Sequence, residues 1–436
     1  MSKKEVTIFW FRRDLRLTDN HGLYQALMSS SPVLPVFIFD TDILDGLKSK
    51  EDKRVIFIHR AILQLQQQLE GIGSSMYVLH DTPENAFRKL LEEFSIHAVF
   101  TNHDYEPYAI DRDARIAQLL NEHDIPFQTY KDQVNFEKSE VTKSDGSPYT
   151  VFTPYSKVWK ELYLQSKKPK YPSENHTTHF LKAISYPLPS LADLGFQDVD
   201  MTFPPAVPDP EIIRHYEATR NLPAIDGTSR LSVHLRFGTV SVREMAAKAS
   251  KWNGQWLNEL IWREFFMMIL FHFPRVVTES FKPKYDAILW RNNETEFALW
   301  CKGETGYPMV DAGMRELNQT GFMHNRVRMV VASFLTKHLL IDWRWGEGYF
   351  AEKLLDYELS SNNGNWQWAA GCGCDAAPYF RIFNPSEQQR KFDPEYKYVK
   401  RWIPEYEPGY LTPIVDHEFA RNRALEVYKA AVSQGQ

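Results

Sequence analysis

Three regions in the second half of this 436-residue chain combine residue types that can do chemistry. The first is residues 226–232 (DGTSRLS), where small hydroxyl side chains and an arginine precede a helical pattern. Backbone N–H groups at a helix start, hydroxyls and a guanidinium can together hold a phosphate group. The same residue types also form an ordinary helix cap with a surface arginine, so the pattern alone leaves both interpretations open.

A second cluster lies on one predicted helix and consists of Trp256, Glu259, Trp262, Arg263 and Phe266. Spacings of three and four residues place the last four along one helical face. An acid between large aromatic rings is costly to bury without a polar partner. Glu259 therefore either faces a cleft or is paired with an arginine, and the pattern does not decide between them.

The third region consists of two polar and aromatic segments. Residues 323–329 (MHNRVRM) mix an amide, cations and thioethers on one helix, and residues 362–368 (NNGNWQW) set three asparagines and a glutamine beside two tryptophans. The second segment is typical neither of a good helix nor of a good core. Such local inconsistency often marks a functional site.

The composition allows a flat cofactor or nucleobases as ligands. Aromatic residues make up 14% of the chain, and ten of the 12 tryptophans lie at or beyond Trp252. They form either a large core or a cradle of rings on which flat groups stack. The formal net charge of -5 argues against general coating of nucleic acid, but it allows a local basic patch.

The chain has three cysteines, Cys301, Cys372 and Cys374. This number is small and odd, so no disulfide framework is expected. They fit a reducing, intracellular setting. Cys372 and Cys374 lack a second pair of ligands nearby, so no metal site is expected. The sequence shows no signal peptide and no run of about 20 apolar residues, so we expect a cytoplasmic protein without membrane contact.

The elements that must position these residues fall into three regions. Short apolar runs at residues 6–11, 34–39, 76–79, 98–101 and 126–130 alternate with helical patterns at 55–69, 85–94 and 111–122. This alternation predicts an α/β domain over residues 1–131 with a doubly wound parallel sheet. No Gly-x-Gly-x-x-Gly follows the first strand, so a standard dinucleotide site is not expected there.

The rest of the chain changes character twice. Residues 132–208 are rich in proline and serine, with a short helix near 156–164, which indicates an interdomain linker. Residues 209–436 are helical in pattern, with breaks at 223–227, 303–308, Gly346 and 362–364. The sequence therefore predicts an α/β domain, a long linker and a larger all-α domain.

Several long motifs, in the same order along the chain, closely resemble the photolyase/cryptochrome family. They are residues 10–16 (WFRRDLR), 305–312 (TGYPMVDA), 324–326 (HNR), 362–368 and 375–385 (DAAPYFRIFNP). The resemblance runs from about residue 5 to 405 and is strongest to class I photolyases of cyclobutane pyrimidine dimers. It implies FAD in the helical domain and light-driven repair of damaged DNA by a carbon–carbon lyase.

The resemblance also implies which residues bind FAD. Those matching the phosphate contacts are Tyr216, Thr228, Ser229, Arg230, Leu231 and Ser232. Those matching the flavin and adenine contacts are Trp256, Glu259, Asn325, Arg328, Asp356 and Glu358, the last replacing an aspartate of many class I members. Arg328 and Asp356 match an ion pair that stabilises reduced flavin, and Asn362 falls where photolyases present an amide to flavin N5.

The reaction transfers one electron from excited reduced FAD to a pyrimidine dimer that has left the duplex, and photolyases are among the enzymes known to flip bases. By resemblance, the residues that contact the lesion or the reacting flavin are Glu259, Trp262, Asn325, Met329, Asn362 and Trp368. The DNA-facing cations are Arg220, Arg263, Arg326 and Arg381. Trp366, Trp343 and Trp290 match an electron relay that runs from the flavin to the surface.

The resemblance also implies that a second chromophore, an antenna of deazaflavin, folate or flavin type, can be present. Residues 105–109 (YEPYA) lack the Asn-Glu pair of folate-binding relatives and are more similar to the Glu-Pro-Tyr of deazaflavin-binding members. The identity of the antenna is therefore left open.

Members of the family are usually monomers, so the resemblance implies a monomer.

Three alternatives compete with dimer repair. A cryptochrome, a blue-light photoreceptor without repair activity, shares the fold, the FAD and the relay, but Glu259, Trp262, Met329 and Asn362 are of the repair type. A (6-4) photolyase needs a pair of active-site histidines, whereas Asn325 stands beside His324 here. An electron-transfer flavoprotein that does not bind DNA would not explain the four arginines that match DNA-facing cations.

Overall fold

The structure of the chain is a computed structural model that describes residues 3–182 and 185–434. Its contacts divide the chain into two compact units. We call the first the α/β unit (Met1–Glu137, Glu161–Val207 and Arg230–Lys248) and the second the helical unit (Lys138–Lys160, Pro208–Ser229 and Ala249–Gln436). The domain boundaries predicted at residues 131 and 208 stay a prediction. No helix in the described ranges is long and apolar enough to cross a membrane.

Among the described residues of the α/β unit, five strands form one sheet in the order β3-β2-β1-β4-β5, and every pairing is parallel. The strands are β1 (Lys4–Phe11), β2 (Val33–Asp40), β3 (Tyr77–Asp81), β4 (Phe94–Asn102) and β5 (Phe127–Tyr130). All eight residues of β2 are buried, as expected for a central strand of a parallel sheet covered on both faces. The predicted doubly wound α/β fold is confirmed.

The helices between these strands are α1 (His21–Leu27), α2 (Thr41–Leu44), α3 (Lys53–Gly71), α4 (Pro83–Glu93) and α5 (Pro107–Asn121). The patterns at residues 55–69, 85–94 and 111–122 predicted the last three. The first two were not predicted, because seven and four residues contain too little periodicity to reveal a helix.

The charged residues that follow β1 are bound inside the α/β unit. Arg16 donates to both carboxylate oxygens of Asp132, at 2.7 and 2.9 Å, and Arg243 donates to one of them at 2.8 Å. Asp14 accepts from the amide of Asn102 at 2.6 Å, and burial raises the pKa of the Asp14 carboxyl. The charged part of the WFRRDLR motif therefore connects the segment after β1 to the end of β4 and to the segment after β5 by hydrogen bonds.

The later part of the chain is helical. Its helices are α6 (Phe152–Gln165), α7 (Pro210–Arg214), α8 (Tyr216–Thr219), α9 (Ser232–Phe237), α10 (Val242–Trp252), α11 (Gly254–His272), α12 (Glu294–Lys302), α13 (Pro308–Thr320), α14 (Asn325–Ser333), α15 (Trp343–Lys353), α16 (Leu359–Ala370), α17 (Pro385–Phe392), α18 (Lys397–Trp402) and α19 (His417–Gln434). Short 3-10 helices lie at Ser173–His179, Pro274–Val277 and Pro283–Ala287, and a π-helix lies at Phe334–His338.

Helix α6 begins four residues before the helix predicted in the linker. The indole N–H of Trp159 donates to the carboxylate of Glu264 on α11 at 2.5 Å, and both side chains are buried. The first half of α6 therefore packs as part of the helical unit. Proline and serine around it concealed this, because they dominate the composition of the segment.

Two of the predicted breaks are wrong. Helix α15 continues through Gly346, and α16 continues through residues 362–364. A Cβ on Gly346 would lie 2.1 Å from the ring of Trp366, and one on Gly364 would lie 2.2 Å from the ring of Phe266. These glycines serve close packing of aromatic rings against helices and do not end the helices. The breaks at 223–227 and 303–308 are confirmed as loops.

We expect the substitution Gly238→Ala to destabilise the α/β unit by about 2 kcal/mol or more. Gly238 ends α9 at φ +65°, and its Cβ would lie 2.1 Å from the carbonyl oxygen of Arg13. The check is the Tm of the full chain by circular dichroism. The matched control is Gly71→Ala at the end of α3, where a Cβ meets nothing within 4 Å. Equal Tm values for the two variants would contradict this account.

Candidate functional site

A partly open cavity in the helical unit brings together many of the predicted residues. Those that line it are Asn325, Arg328, Met329, Asp356, Glu358, Asn362, Trp366 and Trp368. Asn365, from the segment 362–368 that the sequence singled out, also lines it, whereas the sequence did not single out Ala332, Phe350, Leu354, Tyr357, Ser361 and Ala369. These are small, apolar or neutral types, which give no signal that separates a cavity wall from a core or a surface.

The wall is built mainly from one face of α14 and one face of α16. On α14, Asn325, Arg328, Met329 and Ala332 recur at spacings of three and four residues, which places them on the same side of the helix. His324 caps this helix, since its Nδ1 accepts from the N–H of Arg326 at 3.2 Å. The rotation of α14 is thereby fixed at its first turn.

An ion pair lies in this wall. Arg328 donates to both carboxylate oxygens of Asp356, at 2.9 and 3.2 Å, and to the carbonyl of Met323 at 2.8 Å. The Asp356 side chain is 8% exposed and that of Arg328 is 25% exposed. A cation held in this way favours negative charge on a molecule bound in the cavity.

Asn362 is held by an acid that the sequence analysis missed. Its amide nitrogen donates to the carboxylate of Glu347 on α15 at 2.9 Å and to the carbonyl of the same residue at 3.0 Å. Burial raises the pKa of the Glu347 carboxyl. Because the amide N–H groups point to Glu347, the side-chain oxygen of Asn362 is the atom oriented to accept from a ligand.

The three predicted relay tryptophans lie at different depths. Trp366 lines the cavity, Trp343 is buried in the core of the helical unit, and Trp290 is partly exposed with its ring centre 5.9 Å from that of Tyr428. The sequence did not assign Trp300 to the site, although its ring centre lies 6.1 Å from that of Trp366. The relay itself stays a prediction.

Glu259 does not line the cavity but belongs to a second polar cluster on α8 and α11. It is ion-paired with Arg220 and accepts from the amide of Gln255 at 3.0 Å. Burial and the charge of Glu259 raise the pKa of Tyr216, and the guanidinium of Arg220 lies 5.6 Å from the Tyr216 ring centre. Of the two interpretations left open by the sequence, the pairing with an arginine is the one found.

The hydroxyl-rich segment is anchored beside the same cluster. Thr219, at the end of α8, donates its hydroxyl to the carbonyl of Gly227 at 3.0 Å, and a Cβ on Gly227 would lie 2.6 Å from Thr219. Thr228 and Ser229 follow directly within the helical unit. Arg230, Leu231 and Ser232 are grouped with the α/β unit, and Trp256 is buried at the first turn of α11. The part of these residues in binding a phosphate or an adenine stays a prediction.

The predicted DNA-facing cations differ in their surroundings. Burial and the nearby charges of Arg220 and Arg381 lower the pKa of Arg326, so Arg326 lies close enough to both of these cations to be repelled by them. Arg326 also donates to the side-chain oxygen of Asn221 at 2.8 Å. Arg263 instead donates to Glu358 in the cavity wall at 3.1 Å, and its side chain is 11% exposed.

The loop considered for the antenna is bound within the α/β unit. Glu106 accepts from Arg13 at 3.1 Å and from Arg236 at 2.9 Å. The hydroxyl of Tyr108 donates to Asp40 at 2.6 Å. These side chains are engaged with protein groups, so no second chromophore is assigned to them.

Comparisons with known proteins agree with this geometry. A family model described as DNA photolyase matches residues 7–173, and one described as the FAD binding domain of DNA photolyase matches residues 256–408. The deoxyribodipyrimidine photo-lyase of Halobacterium salinarum is 35% identical over 98% of this chain and 99% of its own length. The chain belongs to the DNA photolyase family.

Solved structures of photolyases and of a cryptochrome resemble this chain over nearly its whole length. A bacterial class III photolyase from Agrobacterium tumefaciens matches with a TM-score of 0.86 and 33% identity, covering 99% of this chain and 98% of that one. The cryptochrome of Synechocystis matches with a TM-score of 0.84 and 25% identity, covering 98% of this chain and 100% of that one. The predicted fold class and family are confirmed, and the subclass stays a prediction.

FAD is the cofactor of this family's helical domain, and the residues of the cavity fit it. Arg328, held by Asp356, would supply a cation to the negative charge of a reduced flavin, and Asn362, held by Glu347, would offer an amide oxygen as an acceptor. Phe350 and Trp366, in edge-to-face contact, give the wall an apolar surface. The predicted FAD is therefore consistent with both the family and the chemistry of the wall.

We expect Glu347→Gln to become more stable relative to the wild type as the pH rises. A folded-state pKa above the unfolded value stabilises the fold below the unfolded pKa, and this contribution is lost as pH rises through the folded pKa. Glutamine keeps the acceptor for Asn362 but does not ionise. Urea unfolding of both proteins from pH 5 to 8 should show a widening gap, and a gap independent of pH would contradict the buried-acid interpretation.

Proposed function

We propose that the chain is a deoxyribodipyrimidine photo-lyase that splits cyclobutane pyrimidine dimers in DNA with light. One observation carries the proposal: the cavity that contains the predicted flavin contacts Arg328, Asp356 and Asn362 also contains the predicted lesion contacts Met329 and Trp368. Electron transfer to a dimer requires donor and acceptor to lie side by side in a pocket without bulk water. The names of the curated relatives support the same reaction.

On the cofactor side, bound FAD supplies light-driven donation of one electron to the dimer. Arg328, oriented by Asp356, stabilises negative charge at the cavity wall, and Asn362, oriented by Glu347, binds a ring N–H through its amide oxygen. Tyr216, Thr228 and Ser229 are the predicted phosphate contacts within the helical unit. The relay of Trp366, Trp343 and Trp290 would return electrons to the site from the surface.

On the substrate side, the dimer leaves the duplex and stacks on aromatic rings. A damaged pair is already poorly stacked, so flipping it is easier than flipping an intact base, which gives selectivity. Trp262 and Trp368 provide the stacking walls and Met329 provides an apolar contact. Glu259 accepts from the N–H edge of a thymine, and its ion pair with Arg220 orients the carboxylate for that bond.

Phosphates of the strand bind the cations around the site. Arg326 lies near Arg220 and Arg381, and a phosphate bound beside Arg326 offsets the repulsion from these two cations. Arg263, bound to Glu358, contributes by fixing the wall of the cavity. We further propose that the chain acts on intracellular DNA in the cytoplasm as a monomer, with an antenna chromophore of unassigned type.

A cryptochrome-type photoreceptor is the second candidate, favoured by the likeness to the Synechocystis cryptochrome. It would use the same FAD and the same tryptophans without repair. A photoreceptor without repair activity would not explain the predicted lesion contacts Met329 and Trp368 at the cavity, so we place it second.

The deciding experiment is light-dependent repair. Purified holoprotein, chemically reduced, is mixed with an oligonucleotide that contains one thymine dimer and is illuminated with near-ultraviolet or blue light. Loss of the dimer in the light and not in the dark is the expected result. Normal photoreduction of FAD with the lesion intact would replace the proposal by the cryptochrome.

Glu259→Ala and Trp262→Ala should each weaken dimer binding by about 10- to 100-fold while FAD content stays unchanged. A hydrogen bond to a charged group or a stacked base accounts for a loss of that size. The measurement is repair rate against substrate concentration, with FAD quantified by absorbance. Glu426→Ala, an exposed acid on α19, is the control. Wild-type repair in both site variants would remove these residues from the lesion site.

Arg326→Ala should weaken binding of damaged and undamaged DNA to a similar extent and reduce the salt slope of log K by about one. The reason is that a phosphate contact carries no sequence or damage information. Fluorescence anisotropy from 50 to 300 mM salt would measure it, with exposed Arg421→Ala on α19 as the control. An unchanged slope would mean that Arg326 does not bind phosphate.

A further inference from the structure

One face of the Trp262 ring is covered by a residue from a distant part of the chain. Phe152, the first residue of α6, lies flat on this indole with ring centres 3.6 Å apart and planes 4° from parallel. The two residues are 110 positions apart in sequence. Nothing in the sequence indicated this pairing, because residue 152 lies in the segment predicted as a linker.

Phe152 itself rests on the core of the helical unit. Its ring makes an edge contact with Phe265 at 5.9 Å, and Phe265 in turn contacts Tyr155 at 5.2 Å. Phe152 is 9% exposed, whereas Phe265 and Tyr155 are 0% and 1% exposed. Trp262 is partly exposed, and besides Phe152 its ring contacts Phe265 edge-on at 5.6 Å and Phe266 at 5.5 Å with planes 29° apart.

The backbone of Phe152 is fixed as well. Its N–H is one of the helix-start donors that have no partner within the helix, and it donates to the carboxylate of Asp375 at 3.2 Å. Asp375 has a φ of +50° and begins the segment that carries Arg381. Farther along α6, Trp159 is bonded to Glu264 on α11. The ring of Phe152 is therefore held in place at both ends of this part of α6.

We propose that Phe152 is a positioning residue for lesion recognition: it backs the Trp262 ring so that the exposed part of this ring is presented at a fixed angle to the flipped dimer. The dimer would extend a pre-formed aromatic stack, with Phe152, Trp262 and the pyrimidine in sequence. This inference rests on the proposed function, in particular on Trp262 as a stacking wall. Because the wall is already ordered before the DNA binds, less side-chain entropy is lost on binding.

The test is binding of the holoprotein, in the dark, to an oligonucleotide with one thymine dimer and to the same oligonucleotide without damage. Phe152→Leu should weaken dimer binding by about 3- to 10-fold, the amount expected from loss of an aromatic stack. Binding of undamaged DNA and FAD content should not change. Phe152→Tyr keeps the ring and should bind as the wild type does.

A double-mutant cycle separates positioning from a general packing defect. If Phe152 acts through Trp262, Phe152→Leu should change dimer affinity by about twofold or less when Trp262→Leu is already present. Phe297→Leu is the matched control, since Phe297 also stacks on a tryptophan, Trp300, at 5.8 Å but lies outside the lesion site. Should Phe152→Leu lose FAD, Phe152→Met, which fills a similar volume, takes its place in the cycle.

Two results would overturn the proposal. One is an equal loss of affinity for damaged and undamaged DNA, and the other is full additivity with Trp262→Leu. If the protein still repairs dimers, either result leaves the proposed function intact and overturns only the positioning role of Phe152. A wild-type protein that repairs no dimer at all instead removes the proposed function.

Discussion

The packing of aromatic rings directly against helix backbones is the constraint on which the site depends. Trp366 lies against Gly346 of α15, and Phe266 lies against Gly364 of α16, at distances that no side chain on either glycine would allow. These contacts set how close α11, α15 and α16 approach one another. The cavity wall is built mainly from α14 and α16, and the contacts at Gly346 and Gly364 fix the position of α16 in it.

The polar groups of the site are organised in pairs, one member oriented by the other. Asp356 orients Arg328, and Glu347 orients Asn362. A partly buried group of this kind is stable only when its hydrogen bonds are satisfied, and a satisfied group has a single orientation. The pairs therefore stabilise the fold and pre-organise the side chains that meet the cofactor. The acid in the second pair was invisible in the sequence because its partner lies on another helix.

Charge acts locally in this protein. The chain has a net charge of -5, yet Arg220, Arg326 and Arg381 lie near enough to lower the pKa of Arg326. A phosphate bound beside Arg326 would offset the repulsion that Arg326 meets from the other two cations. The net charge argues only against general coating of nucleic acid, whereas the local distribution of the charges favours a surface for it.

The sequence by itself determined the two fold classes, the five strands with three of the helices between them, the family, and about half of the residues in the wall of the cavity. It could do so because these depend on local periodicity and on long motifs whose members are near in sequence. The tertiary structure alone decided that Glu259 pairs with Arg220, that Gly346 and Gly364 lie inside helices, and that Glu347 and Phe152 support the site. Each of these depends on contacts between residues far apart in the chain. Packing between side chains of different elements leaves no periodic pattern in the sequence, so the sequence does not reveal it.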